Sequence, residues 1–136
     1  MAEYLLRDRL GTDSKWKICS AGIMADYGIP PSRSALQTIQ KQGIDMKSHR
    51  SQPIDKDLVG AASLIIVMTT SMQTHLSTHF PDAREKIFLL KSFGMLDSEK
   101  DINDPIGMSV DTYHEICCQI ENALPRLISF MKTLKV

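Results

Sequence analysis

Apolar positions follow two different periods along this chain, and the switches between them outline its elements. From Ala2 to Leu10, Leu5, Leu6 and Leu10 share a helical stripe with Arg7 and Asp8 outside it, and Gly11 supplies a stop. Lys15 to Cys19 alternates polar and apolar residues, which predicts a short strand ending at Ser20-Ala21-Gly22. Tyr27 to Pro31 is a loop. Ser32 then caps a helix in which Ala35, Leu36 and Ile39 recur at helical spacing, closed by Gly43. Asp45 to Pro53 is polar and loop-like, and Ile54 to Ala62 predicts a short helix or turn with Asp55 placed to cap it. Ser63 to Met68 is apolar almost throughout, the pattern of a strand buried on both faces. Thr70 to Phe80 predicts a helix stopped by Pro81, Lys86 to Leu90 a strand, and Ser92 to Gly107 a long loop rich in Asp, Gly and Ser. From Ser109 a helix runs towards Leu134, with Tyr113, Ile116, Cys117, Ile120, Leu124, Leu127, Ile128 and Met131 as its apolar stripe. Pro125 removes one hydrogen bond from that helix and is expected to kink it.

Alternation of helices and strands predicts an α/β fold, a parallel sheet flanked by helices on both faces, in a single domain over residues 1–136. The pattern opens on a helix. Doubly wound domains ordinarily open on a strand whose following turn carries a phosphate site, so the first strand and its turn are expected to be missing.

Composition narrows the setting. Hydrophobic residues make up 43% and charged residues 24% of the chain, with a net charge of zero, so neither nucleic acid nor a membrane surface is an expected partner. The longest apolar run, Leu64 to Met68, is far shorter than the roughly 20 residues of a bilayer span. Three cysteines, Cys19, Cys117 and Cys118, lack framework spacing and point to a reducing cytoplasm. All three are expected in the core, with the adjacent pair on different helix faces and unable to bridge.

Asp104 before Pro105 is the sharpest chemical candidate. Proline fixes its own φ and drives the preceding residue towards an extended shape, which holds a carboxyl group at the lip of a loop. Phosphate-ester cleavage needs an acid for the leaving oxygen, and partial burial of a carboxyl group favours its protonated form. A plain Asp-Pro turn contains the same two residues. His75 and His79, four apart on a predicted helix, share a face, but no adjoining Glu or third ligand is evident, and no metal is expected there. Lys47, His49 and Arg50 suit an anionic substrate or simply a solvated loop.

Met1-Ala2-Glu3, Ser20-Ala21-Gly22, Gly43-Ile44-Asp45, His49-x-Ser51, Met68-Thr69 and Asp101-Ile102-x-Asp104-Pro105 occur in order along the whole chain. In that order and spacing the sequence resembles the low-molecular-weight protein phosphatase family. The resemblance implies a four-stranded parallel sheet, a cysteinyl-phosphate intermediate, no metal or cofactor, and a phosphorylated protein or small phosphomonoester as partner. Asp104 becomes the general acid and later the base towards water; Ser20 and His49 support the phosphate loop through hydrogen bonds; Tyr27, Pro105 and Ile106 are candidates for the substrate mouth. Tyrosine phosphatases of the family usually place an aromatic ring after Asp-Pro. Ile106-Gly107 is closer to the branch that includes protein-arginine phosphatases.

Two departures accompany the resemblance. The nucleophile is a Cys with Arg six positions on, but the residues six beyond Cys19, Cys117 and Cys118 are Ala25, Ala123 and Leu124. The family's Cys-x5-Arg loop lies immediately before the Met-Ala-Glu opening of its first helix, so this chain is expected to be N-terminally truncated and inactive alone. Removing a central strand opens a gap of about 9.6 Å, two strand spacings. Each buried unpaired backbone group costs about 1–3 kcal/mol against a total stability of about 5–15 kcal/mol. The chain is therefore expected to fold poorly or to close the gap by pairing Lys15–Cys19 directly with Ser63–Met68. An inactive phosphatase-like binding module and an arsenate reductase-like enzyme are the alternative readings.

Overall fold

The computed structural model describes residues 1–94 and 101–134. Helix α1 spans Ala2–Leu10 and ends where Gly11 adopts φ 76°, a conformation open to glycine without strain. Helix α2 spans Arg33–Gln40, and the Ser32 hydroxyl accepts from the Ala35 N–H at 3.2 Å. Helix α3, Lys56–Ala61, is capped the same way by Asp55, whose carboxylate accepts from the Leu58 N–H at 2.8 Å. Strand β1 is Ile65–Val67, helix α4 is Thr70–His79 with Thr69 as cap, and strand β2 is Ile87–Leu89. Helix α5, Val110–Thr133, starts at the Ser109 cap and continues through Pro125, which has no N–H to offer the preceding turn.

Strands β1 and β2 pair in parallel, Ile65 with Ile87, Ile66 with Phe88 and Val67 with Leu89, joined by α4. Alternation along β1 divides the interior in two. Leu64, Ile66 and Met68 pack on the larger cluster, built from Leu5 of α1, Ile39 of α2 and Ile116, Ile120, Leu124 and Leu127 of α5. Ile65 and Val67 meet the smaller one, with Val59 of α3 and Leu76 of α4. Helices thus cover both faces of the parallel pair, as the alternating pattern requires.

The sheet differs from expectation in three ways. Lys15–Cys19 forms no strand: among the described residues no backbone ladder joins it, and the Ile18 carbonyl instead accepts from the Arg7 side chain, Nη2 at 2.6 Å and Nε at 3.2 Å. It does not pair with β1, so direct closure of the gap is not what this chain does; the described sheet has two strands. Within β1 only Val67 is fully buried, and Leu64, Ile65, Ile66 and Met68 are half-buried rather than enclosed on both faces. The expected loop from Ser92 is a 3-10 turn at its start, Leu90–Phe93; residues 95–100 of it lie outside the described residues.

Candidate active site

The Asp104 loop is tied down at both ends. The Ile102 N–H donates to the Met68 carbonyl at 2.8 Å, and the Ile102 side chain is buried, so the loop springs from the C-terminal end of β1. Asp101 accepts from the Thr70 N–H at 2.7 Å, an orphan donor at the start of α4. Asp104 folds over its own turn and accepts from the Ile106 N–H at 3.1 Å, Pro105 is buried, and Gly107 takes φ 77° before α5 begins. Asp104 itself is exposed, not partly buried as expected, and Ile106 is 71% exposed.

This carboxylate acts electrostatically on the Met1 amino group at the start of α1. Burial lowers the pKa of that amine from its ordinary value, opposed by Glu3, Cys117 and Asp104. The first turn of α1 therefore gathers the other candidates. Glu3, buried on the inner side of α1, accepts from the Ser20 hydroxyl at 2.6 Å and pairs with Arg7 at 2.8 Å. His49 Nδ1 stands 4.0 Å from the same carboxylate, and its ring meets Tyr4 edge-on at 5.4 Å between centroids. Gln52 Nε2 donates to the Ser20 carbonyl at 2.9 Å, and a bridge between Gly22 and Pro53 locks the two loops together. Ser20 and His49, separated widely in sequence, thus meet at Glu3 in the first turn of α1, and the Asp104 charge acts on the same helix start. Its free N–H groups and partial positive charge are suited to an anion.

Tyr27 is 72% exposed and makes no hydrogen bond or ring contact with a described residue. It lies in a loop held by Gly28 N–H to the Ser51 carbonyl and Ser51 N–H to the Ile29 carbonyl, both 2.9 Å. No hydrogen bond joins it to Asp104. Glu3 and Asp101, the two carboxylates that organise the site, were read from sequence only as pieces of a pattern. The Glu3/Arg7 spacing of an ion pair along a helix was the available signal for the first.

The cysteines correct another expectation. Cys117 is buried, but Cys19 and Cys118 are exposed, so only one belongs to the core. Cys117 donates to Glu121 at 3.3 Å, and burial, with that hydrogen bond and the Glu121 charge, pushes its pKa up to about 12. It is an inert thiol at neutral pH. Among the described residues no three His, Cys, Asp or Glu side chains form a metal-binding group, and no helix is long and apolar enough to cross a membrane.

The site thus joins a parallel α/β core, an aspartate loop and a serine–glutamate–histidine cluster at the start of α1. The chain belongs to the low molecular weight phosphotyrosine protein phosphatase family, whose model matches residues 1–136. A protein-arginine-phosphatase of Geobacillus stearothermophilus is 29% identical over 86% of this chain and 78% of its own length. A probable low molecular weight protein-tyrosine-phosphatase of Ralstonia solanacearum is 28% identical over 98% of this chain and 88% of its own. The crystal structure of a low molecular weight protein tyrosine phosphatase from T. tengcongensis superposes with a TM-score of 0.84 at 31% identity, covering 94% of this chain and 87% of that one.

Proposed function

We propose that this protein is a phosphatase of the low-molecular-weight type, acting on phosphotyrosine or phosphoarginine in proteins through a cysteinyl-phosphate intermediate, with the Cys-x5-Arg nucleophile loop absent from these 136 residues. The observation that carries the reading is the Ser20–Glu3–His49 cluster at the first turn of α1, a helix start on which the Asp104 charge also acts. The phosphoryl group would sit at that helix start, where backbone N–H groups stabilise developing negative charge. Asp104 protonates the leaving oxygen or nitrogen and then takes a proton from the attacking water. Glu3 fixes the Ser20 hydroxyl and faces His49, so a phosphate loop entering here meets donors already held in place.

The open edge of β1 supports where that loop comes from. Among the described residues β1 pairs on one side only, and Trp16, Ile18, Leu64 and Ile66 are half-buried about the larger core. A strand laid against that edge would use its free backbone groups and deliver a Cys-x5-Arg turn directly to α1. The mouth candidates are Ile106 and Tyr27, both exposed, and the buried Pro105, with no aromatic ring directly after Asp-Pro. Three free thiols suit a cytoplasmic home.

The test is turnover of phosphotyrosine and phosphoarginine peptides by protein purified from its own source, alongside its intact mass. Asp104→Asn is expected to lower kcat by about 10²–10⁴-fold. Turnover unaffected by that change would refute the assignment. A second reading has its own support, the lack of any Cys-x5-Arg in this sequence: an inactive module that binds phosphopeptides. Turnover absent from a 15.3 kDa protein that retains phosphopeptide binding would establish it. Arsenate reduction by a relay through Cys117 and Cys118 is disfavoured, because Cys117 is an inert thiol and Cys118 is exposed on another face of α5.

A further inference from the structure

The last turn of α4 carries two imidazoles that the phosphatase reading does not use. His75 and His79 stack with ring centroids 4.1 Å apart and an interplanar angle of 25°. His79 Nδ1 lies 2.8 Å from the His75 carbonyl. A carbonyl can only accept, so Nδ1 carries the proton in this bond and Nε2 keeps its lone pair. Metal-bound histidines are commonly oriented in this way, one ring nitrogen on a carbonyl and the other on the ion. The His75 ring makes no hydrogen bond to a described residue, which leaves its nitrogens open. The pair sits at the C-terminal end of α4, where the helix dipole favours a cation.

We propose that His75 and His79 form a two-imidazole chelate for a borderline divalent cation of the Zn2+, Ni2+ and Cu2+ class. Nitrogen donors select this class over Mg2+ and Ca2+, which take oxygen ligands. Metal–nitrogen bonds of about 2.0–2.1 Å at a tetrahedral angle put the two donors about 3.3 Å apart. The two rings are neighbours at 4.1 Å between centroids, but their in-plane lone pairs do not converge in the stack, so binding turns both imidazoles about χ1 and χ2 until they face one ion. No third His, Cys, Asp or Glu joins them among the described residues, so water completes the shell and the ion exchanges readily. The site is a reversible surface chelate, unlike the closed sites that hold folds together.

Calorimetry with Ni2+ alone, and separately with Zn2+, tests the chelate. The exposed thiols are first removed by Cys19→Ser and Cys118→Ser, because they would bind the same ions. One ion per chain is expected, with no heat from Mg2+. His75→Gln and His79→Gln should each weaken binding by at least about tenfold, since the second imidazole closes on an ion already held by the first. Binding unchanged in both variants, or lost in only one of them, would overturn the chelate. Far-ultraviolet circular dichroism of each variant, expected to match the parent, excludes unfolding of α4 as the cause of lost binding.

Discussion

Replacing Glu3 by alanine strikes the point where α1, the Ser20 turn and His49 meet. The carboxylate accepts from Ser20 at 2.6 Å, and a hydrogen bond to a charged acceptor contributes about 1.5–3 kcal/mol. Ser20 is exposed, so the lower end of that range applies. The Arg7 pair at 2.8 Å adds under about 1 kcal/mol, because the Arg7 side chain is 47% exposed although that of Glu3 is only 7% exposed. Together they set a loss of about 1.5–2.5 kcal/mol for Glu3→Ala. Urea unfolding followed by circular dichroism measures it, as a lower midpoint at unchanged slope. A double-mutant cycle with Ser20→Ala isolates the hydrogen bond. The backbone of Ser20 stays tethered through Gln52, so the cycle reports the side chain alone. A coupling of about 1–1.5 kcal/mol is expected. A value below about 0.3 kcal/mol would show that the Ser20–Glu3 contact organises nothing, and the pre-set loop support would fail with it.

Cys117 makes the fold sensitive to alkali. Its folded pKa is raised from 9.0 to about 12, so the thiol contributes stability fully present below pH 9 and lost as pH rises towards 12. In that window the wild type should lose up to about 1.4 kcal/mol per pH unit more than Cys117→Val, read from denaturation midpoints; parallel profiles would contradict the assignment. Leu127 of α5, 1% exposed in the larger core, should cost about 2–5 kcal/mol when cut to alanine, measured by urea unfolding, and a loss under about 1 kcal/mol would mean the larger core is not packed there.

The helices were legible in the sequence because their determinants are local. Ser32, Asp55, Thr69 and Ser109 cap where a short polar side chain precedes a helical stripe, and Gly11 stops α1 with a positive φ. The apolar stripe of α5 was read residue by residue, since burial on one face repeats every 3.6 positions whatever the partner. The Asp104 loop was likewise visible in Asp-Pro. The alternation of Lys15–Cys19 was equally clear and still produced no strand, because a strand exists only through a neighbour's backbone, and Arg7 took the Ile18 carbonyl instead. Exposure of Cys19 and Asp104 could not be read either, since burial depends on what packs from elsewhere in the chain. Glu3 gained its place at the centre of the site through Ser20, seventeen residues away, and His49. The sequence by itself determined the helices, their ends and the family they compose. Only the tertiary structure decided which extended segment is paired and which carboxylate holds the site together, because both depend on partners distant along the chain.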